Sequence, residues 1–301
     1  MKILITGASG FIGSAVVKTL LEQNINFTAI GRSRPKHVDD SQFMPVDLTC
    51  HTITSLTEII ERAECTHLLH LAWYVEPSKF WSAQENMDWV AYSITLFSAF
   101  HKAGGRTIVS TGSCAEYTNS NEILYETESD ASPNTLYGTA KLSLKNVASA
   151  WALEHSVDFR WARIFFAYGP GMPNTKLIPS LIRSLNGTEP LFSVNASDRR
   201  DFIYIDDIAK AILCLLASPK NGTFNVCSQQ GHSVFEILDV LRELTGYNVE
   251  PIKTIANKST SNTPIIGSNS HLKEIGWQPH YDLVSGLSEM ITAHNITAAG
   301  I

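Results

Sequence analysis

Apolar positions fall into two rhythms along the first half of this chain. Short unbroken apolar runs occur at Lys2 to Ile5, Phe27 to Ile30, Phe43 to Val46, His67 to Ala72 and Thr107 to Thr111. They have the length of strands buried on both faces. Between them, Phe11 to Gln23, Ile53 to Ala63 and Asn86 to Ala103 place apolar residues every three or four positions, which predicts helices. Strand and helix in alternation predict a doubly wound parallel α/β sheet.

After about Pro170 the rhythm loosens. Helical stretches at Lys176 to Leu185, Asp206 to Leu216 and Ser233 to Thr245 are separated by strand-like pieces near Leu191, at Phe202 to Ile205 and at Thr223 to Val226, and a helical pair ends the chain. The expectation is a dinucleotide-sized domain over residues 1–170 and a smaller lobe over 171–301, with segments of about 201–227 returning to the sheet edge. A ligand is expected between the two, at the carboxyl ends of the strands.

The stretch Asn86 to Ala103 is apolar on more than one face. Met87, Val90, Ile94 and Phe97 are expected to face the sheet, which leaves Trp89, Tyr92, Leu96 and Phe100 to be covered by the second lobe or by another copy of the chain. A homodimer is the preferred reading.

Composition narrows the classes. Of 301 residues, 44% are hydrophobic and 17% charged, as in a globular protein. A net charge of -6 and the lack of a basic stripe argue against nucleic acid or an anionic membrane as partner. The five cysteines are scattered with no Cys-x-x-Cys, so no metal site is expected and a reducing, cytoplasmic setting is. The absence of a charged-then-apolar leader or of a membrane-length apolar run agrees with that setting.

Chemistry begins at Thr6 to Gly13, reading Thr-Gly-Ala-Ser-Gly-Phe-Ile-Gly between the first strand and first helix. Gly7 and Gly10 allow a sharp turn and close approach of a ligand, and Gly13 allows the helix to pack on its strand. The helix start then offers free amides to a pyrophosphate. A plain strand-turn-helix corner is the bland alternative. At the end of the second strand, where an acidic residue would bind the ribose of NAD, stand Gly31, Arg32, Ser33 and Arg34. A guanidinium there suits a 2′-phosphate, so NADPH is expected, with NAD the alternative if the arginines are only solvated loop charges.

Tyr137 has a lysine four residues on, Lys141, at the start of an apolar-periodic helix after Pro133. One helical turn sets both side chains on one face. An ammonium beside a phenol is expected to lower the tyrosine pKa and make it a proton donor to an alcohol oxygen. The alternative is an exposed pair in an ordinary first turn.

Together these motifs resemble the extended short-chain dehydrogenase/reductases, in the nucleotide-sugar epimerase, dehydratase and reductase branch. The resemblance extends through His70-Leu71-Ala72, Ser110 to Ser113 followed by Tyr117, Arg163-Ile164-Phe165 with Tyr168-Gly169-Pro170, Arg200 to Asp207, and Gly276-Trp277-Gln278-Pro279. It implies a Rossmann-type sheet with a C-terminal substrate lobe. It also implies that Ser113 hydrogen-bonds the substrate carbonyl, that Tyr137 is the acid/base, and that Lys141 binds the nicotinamide ribose and tunes Tyr137. The cofactor site would comprise Gly7, Ser9, Gly10, Phe11, Ile12, Gly13, Arg32, Ser33, Asp47, Leu48, Leu71, Ala72, Tyr137 and Lys141, with Asp47 and Leu48 at the adenine. The substrate site would include Lys176, Leu177 and Arg200, with Arg200 on the diphosphate. Trp73 and Tyr74 would wall the hexose or sit in the core, and Glu116 would bind sugar hydroxyls or face solvent.

Departures from the family narrow the activity. Cys114-Ala115 stand where 4,6-dehydratases carry Asp-Glu, and Cys114 is one residue out of register with the cysteine of reductases that also epimerise, so it is expected to turn away. Phe166 and Trp89 each replace a frequent asparagine. The expected activity is NADPH-dependent reduction of the 4-keto group of a nucleotide-linked 4-keto-6-deoxyhexose, a dTDP-sugar first, supplying a deoxysugar for surface polysaccharide such as O-antigen. The alternatives are an NAD-dependent nucleotide-sugar 4-epimerase, a reductase of a non-nucleotide ketone or aldehyde, and a non-catalytic NADP sensor.

Overall fold

A computed structural model describes residues 1–118, 122–185, 188, 199–246 and 263–298. The strand-like piece expected near Leu191 lies outside them. Seven strands form one all-parallel sheet in the order β3-β2-β1-β4-β5-β6-β9. These are β1 (Ile3–Thr6), β2 (Phe27–Gly31), β3 (Phe43–Pro45), β4 (His67–His70), β5 (Thr107–Ser113), β6 (Asp158–Ile164) and β9 (Gly222–Val226). Helices cover both faces. Val16, Val17 and Leu20 of α1 (Phe11–Glu22) share one core cluster with Ile208, Ile212 and Leu215 of α6 (Ile205–Ala217). The opposite cluster holds Leu56 and Ile60 of α2 (Ile53–Ala63), Leu96, Phe97 and Phe100 of α3 (Glu85–Lys102), and Leu144 and Ala148 of α4 (Leu136–Glu154). This is a Rossmann-type arrangement, and its strand order reverses between β1 and β4, where the loops leave a crevice.

A second sheet of three strands has the order β10-β8-β7, built from β7 (Phe166–Tyr168), β8 (Arg199–Tyr204) and β10 (Gly231–Ser233). It contributes Phe166, Ala167, Arg200 and Phe202 to the lining of the crevice, and α5 (Leu177–Leu185) and α7 (Val234–Thr245) follow β7 and β10 in the chain. The helix α7 starts on a capping box in which Ser233 and Glu236 satisfy each other's backbone amides, and it stops at Gly246 with φ 70°. The terminal pair is α8 (Ser270–Glu274) and α9 (Leu283–Ala298). No helix of the described residues is long and apolar enough to cross a membrane, and no group of three or more His, Cys, Asp or Glu among them would hold a metal ion.

The pattern reading missed β6. Arg160 and Arg163 interrupt its apolar run, yet both are buried, because Arg160 donates to the Lys220 carbonyl and Arg163 pairs with Glu116. The piece at Phe202 to Ile205 is part of β8, which joins the small sheet and not the large one, while β9 pairs with β6. On α3, Met87 does not face the sheet; it is 55% exposed, whereas Leu96 and Phe100 are covered by the chain itself. About half a turn of helical phase separates those outcomes, and the apolar residues on several faces left that phase undetermined.

Candidate active site

One cavity of about 1630 Å³ runs across the carboxyl ends of the strands and brings together the residues that the sequence proposed for the site, Glu116 excepted. Its floor is the glycine turn. Gly7 has φ 72°, and a Cβ there would lie 2.6 Å from the Ala72 backbone nitrogen. A Cβ on Gly13 would lie 2.1 Å from the Gly7 carbonyl oxygen. Both contacts are closer than any side chain tolerates, so β1, α1 and the Leu71-Ala72 segment meet only because these residues are glycine. The N-terminus of α1 has no side-chain cap, and Ser9, Gly10, Phe11 and Ile12 line the cavity there. That uncapped turn fits a dinucleotide pyrophosphate.

At the outer end, Arg32 and Ser33 are exposed on the cavity rim after β2. Arg34 is occupied elsewhere: it pairs with Asp40 at 3.3 Å and donates to the Val38 carbonyl at 2.7 Å. Among the described residues Arg32 makes no such bond. Asp47 accepts from the backbone nitrogen and hydroxyl of Thr49 at 3.0 and 2.8 Å. Those bonds, with the Arg32 charge nearby, hold its carboxyl below its ordinary value. Leu48 is buried beneath it.

The inner end holds Ser113, Tyr137 and Lys141. The residue Thr135 caps α4 by accepting from the Gly138 amide, which fixes the first turn from which Tyr137 projects. Ser113 lines the cavity with Tyr137, and its hydroxyl favours the phenolate, an influence smaller than that of burial. Lys141 is 4% exposed and donates to the Thr111 carbonyl at 2.8 Å. The expected lowering of the Tyr137 pKa does not occur. Burial raises it above the ordinary phenol value, while burial pushes Lys141 down to about 7. The reason is that both groups lose water, which disfavours phenolate and ammonium alike. Nearby, His70 links β4 to β1 through Thr6 at 2.7 Å and to α3 through Ser93 at 2.9 Å. Burial pushes it down to about 3, so it is a neutral strut.

Glu116 neither binds ligand nor meets solvent. It is fully buried, accepting from the Ser113 backbone nitrogen at 2.8 Å, from the Trp161 indole at 3.0 Å and from Arg163 at 2.7 Å. This network fixes the backbone of Ser113. Cys114 was expected to turn away, yet it lines the cavity, and burial pushes its thiol up to about 12, which keeps it protonated and unreactive.

On the substrate side, Lys176 precedes α5 with its ammonium 5.6 Å from the Phe80 ring centre, and Leu177 lines the cavity beside it. Arg200 donates to the carbonyls of Arg199 and Thr263 at 2.9 and 3.1 Å, and its guanidinium lies 5.8 Å from the Phe166 ring centre. Trp73 and Tyr74 line the cavity as well, but Trp73 is only 9% exposed. Sequence reasoning missed Phe80 and Trp81, whose rings meet Tyr137 edge-on at 5.0 and 5.7 Å, and the buried Asn86. The cluster of aromatic residues from Trp73 to Trp81 was the available signal.

The chain is similar to known proteins in sequence and in fold. The chain is 26% identical to a UDP-glucose 4-epimerase of Corynebacterium glutamicum, over 94% of this chain and 92% of that protein. It is 25% identical to the dTDP-6-deoxy-L-talose 4-dehydrogenase (NAD(+)) of Aggregatibacter actinomycetemcomitans, over 78% and 87% respectively. Its fold is similar to that of a UDP-glucose-4-epimerase from Stenotrophomonas maltophila with bound NAD and formylated UDP-arabinopyranose, with a TM-score of 0.85, 22% identity and 99% of each chain covered. The model of the NAD dependent epimerase/dehydratase family matches residues 3–227. The chain therefore belongs to the NAD dependent epimerase/dehydratase family.

Proposed function

We propose that this enzyme reduces the 4-keto group of a nucleotide-linked 4-keto-6-deoxyhexose, with NADPH as the cofactor and a dTDP-sugar as the first choice of substrate. The observation that carries the reading is the cluster of half-buried Ser113 and Tyr137 with buried Lys141 at one end of a cavity whose other end is the glycine turn and Arg32. In this reading Gly7, Ser9, Gly10, Phe11, Ile12 and Gly13 hold the pyrophosphate, Leu71 and Ala72 wall the cofactor, Asp47 and Leu48 flank the adenine, and Arg32 with Ser33 grips the 2′-phosphate. Lys176, Leu177 and Arg200 face the nucleotide diphosphate.

A bound nicotinamide supplies the hydride. Ser113 orients the ketone by donating a hydrogen bond to its oxygen, and Tyr137 gives that oxygen its proton. A phenol kept protonated by burial is the right state for a donor in the reductive direction. When the proton leaves, the Lys141 ammonium offsets the phenolate charge. The product would feed surface polysaccharide such as O-antigen, in the cytoplasm, a setting that suits five free cysteines. A homodimer is part of the proposal, with Met87 of α3 and Val147 of α4 as exposed apolar positions on adjacent helices.

The second reading is an NAD-dependent 4-epimerase of a UDP-sugar, favoured by the family description and by the similarity to UDP-glucose 4-epimerases. Arg32 at the rim, directly after β2 where no acidic residue stands, favours the first. A panel of 4-keto-6-deoxy sugar nucleotides assayed with NADPH and NADH separates the two. Net oxidation of NADPH supports reduction, and Arg32→Asp should reverse the cofactor ranking. An unchanged ranking removes Arg32 from the argument.

A further inference from the structure

We propose that Trp73 is a positioning residue for Lys141, its indole face holding the ammonium against the Thr111 carbonyl, with Asn86 fixing the indole in turn. The Lys141 Nζ lies 3.8 Å from the Trp73 ring centre and 2.8 Å from the Thr111 carbonyl oxygen. An ammonium has three hydrogens to place, and among the described residues this carbonyl is its one hydrogen-bond acceptor. The negative face of the indole serves as a second partner. One N–H is then left for a ligand hydroxyl.

The indole is itself held. Its Nε1–H donates to the Asn86 side-chain oxygen at 2.9 Å. The Asn86 amide nitrogen donates to the carbonyls of Phe80 at 2.6 Å and Ala83 at 2.9 Å. Those carbonyls belong to the segment whose Phe80 and Trp81 rings rest on Tyr137, and the Tyr137 amide donates to the Trp81 carbonyl at 3.1 Å. One stretch, residues 73–86, thus roofs both the lysine and the tyrosine. With one face given to Lys141, Trp73 presents little surface to a hexose, consistent with its 9% exposure.

The titratable groups that act on Lys141 are Glu116 after β5, already paired with Arg163, and the neutral His70 of β4; Tyr137 stands one turn earlier on α4. None of them contacts the Trp73 indole by hydrogen bond, so a change at residue 73 tests the ring itself.

The consequence for catalysis rests on the proposed role of Lys141; the contact does not. The test is 13C–1H NMR of the Lys141 ε-methylene in cofactor-free, 13C-lysine-labelled protein, assigned by its loss in Lys141→Arg. In the wild type the ε protons should be shifted upfield by the indole ring current. The shift should shrink in Trp73→Phe and fall in Trp73→Leu to the small remainder from the Trp161 ring, whose centre lies 6.0 Å from the Lys141 Nζ. The titration midpoint of Lys141 should fall by about half to one pH unit in Trp73→Leu and remain near wild type in Trp73→Phe. The alkaline limb of kcat/KM for keto-sugar reduction should move with it. An unshifted ε resonance in the wild type, which needs no variant to fold, would overturn the proposal, as would a midpoint that stays or rises in Trp73→Leu. If the NMR behaves as expected and no keto-sugar nucleotide is reduced even by the wild type, the functional reading fails and the placement of Lys141 by Trp73 stands.

Discussion

Tyr137 and Lys141 share one face of α4, and the role proposed for each leaves a distinct trace. Removing the phenol oxygen in Tyr137→Phe should lower kcat for reduction by about 10²- to 10⁴-fold, the usual worth of a placed proton donor, while the cofactor Kd by fluorescence titration changes little. Unchanged turnover would eliminate this proton route. The lysine predicts a pH dependence. Its ammonium is needed, and burial brings its pKa to about 7, so reduction should decline as pH rises through that value. The sign for stability is the opposite. Between about 7 and the ordinary lysine value of 10.5 the unfolded chain keeps a proton that the native state has released, so the folding penalty of Lys141 is full below 7 and fades as pH rises. Lys141→Met should therefore raise the urea midpoint at pH 6 more than at pH 9. An equal effect at both would contradict the burial argument. The Tyr-x-x-x-Lys spacing was legible in the sequence, but the direction of the tyrosine shift was not. Spacing reports that two groups can meet, whereas a pKa depends on how much water the fold removes from each.

The elements transmit this geometry through a few exacting contacts. In Gly13→Ala the new methyl would have to displace the Gly7 carbonyl, which lies 2.1 Å from its built position, and α1 would move off β1. The expected cost is about 1–3 kcal/mol in chemical denaturation, with cofactor binding lost well before the fold. A variant that binds NADPH as tightly as wild type would refute the role given to this turn. Beneath Ser113, Glu116→Ala would leave the buried Arg163 charge without its carboxylate partner. Breaking such a pair costs about 3–5 kcal/mol, and the melting temperature should fall accordingly. Here the sequence was less legible. Arginines at 160 and 163 disguise β6 as a polar segment, because their partners, the Lys220 carbonyl and Glu116, come from distant parts of the chain. The glycine turn, by contrast, is a local device whose strand, loop and helix are contiguous in sequence.

The whole molecule follows from a rule of topology. A parallel sheet wound in both directions from β1 opens a crevice at its switch point, and the residues singled out in the sequence lie along it because their loops leave the same edge. That much was readable from the alternation of runs. The course of the second half was not, since β8 and β9, neighbours in the chain, enter different sheets, a choice made by packing partners and not by local pattern. The expected pairing of two copies belongs to this scale too. Analytical ultracentrifugation should give a dimer, and Val147→Glu on the exposed face of α4 should yield monomer; a monomeric wild type would remove that part of the account.

The central claim is net reduction by a protein that is similar to several UDP-glucose 4-epimerases. The direct measurement is the fate of the cofactor when purified enzyme meets dTDP-4-keto-6-deoxyglucose and stereospecifically 4-deuterated NADPH. The account predicts one NADPH consumed per sugar reduced, with deuterium at the sugar C4. A cofactor that is never consumed, alongside interconversion of UDP-glucose and UDP-galactose by the same preparation, would contradict it.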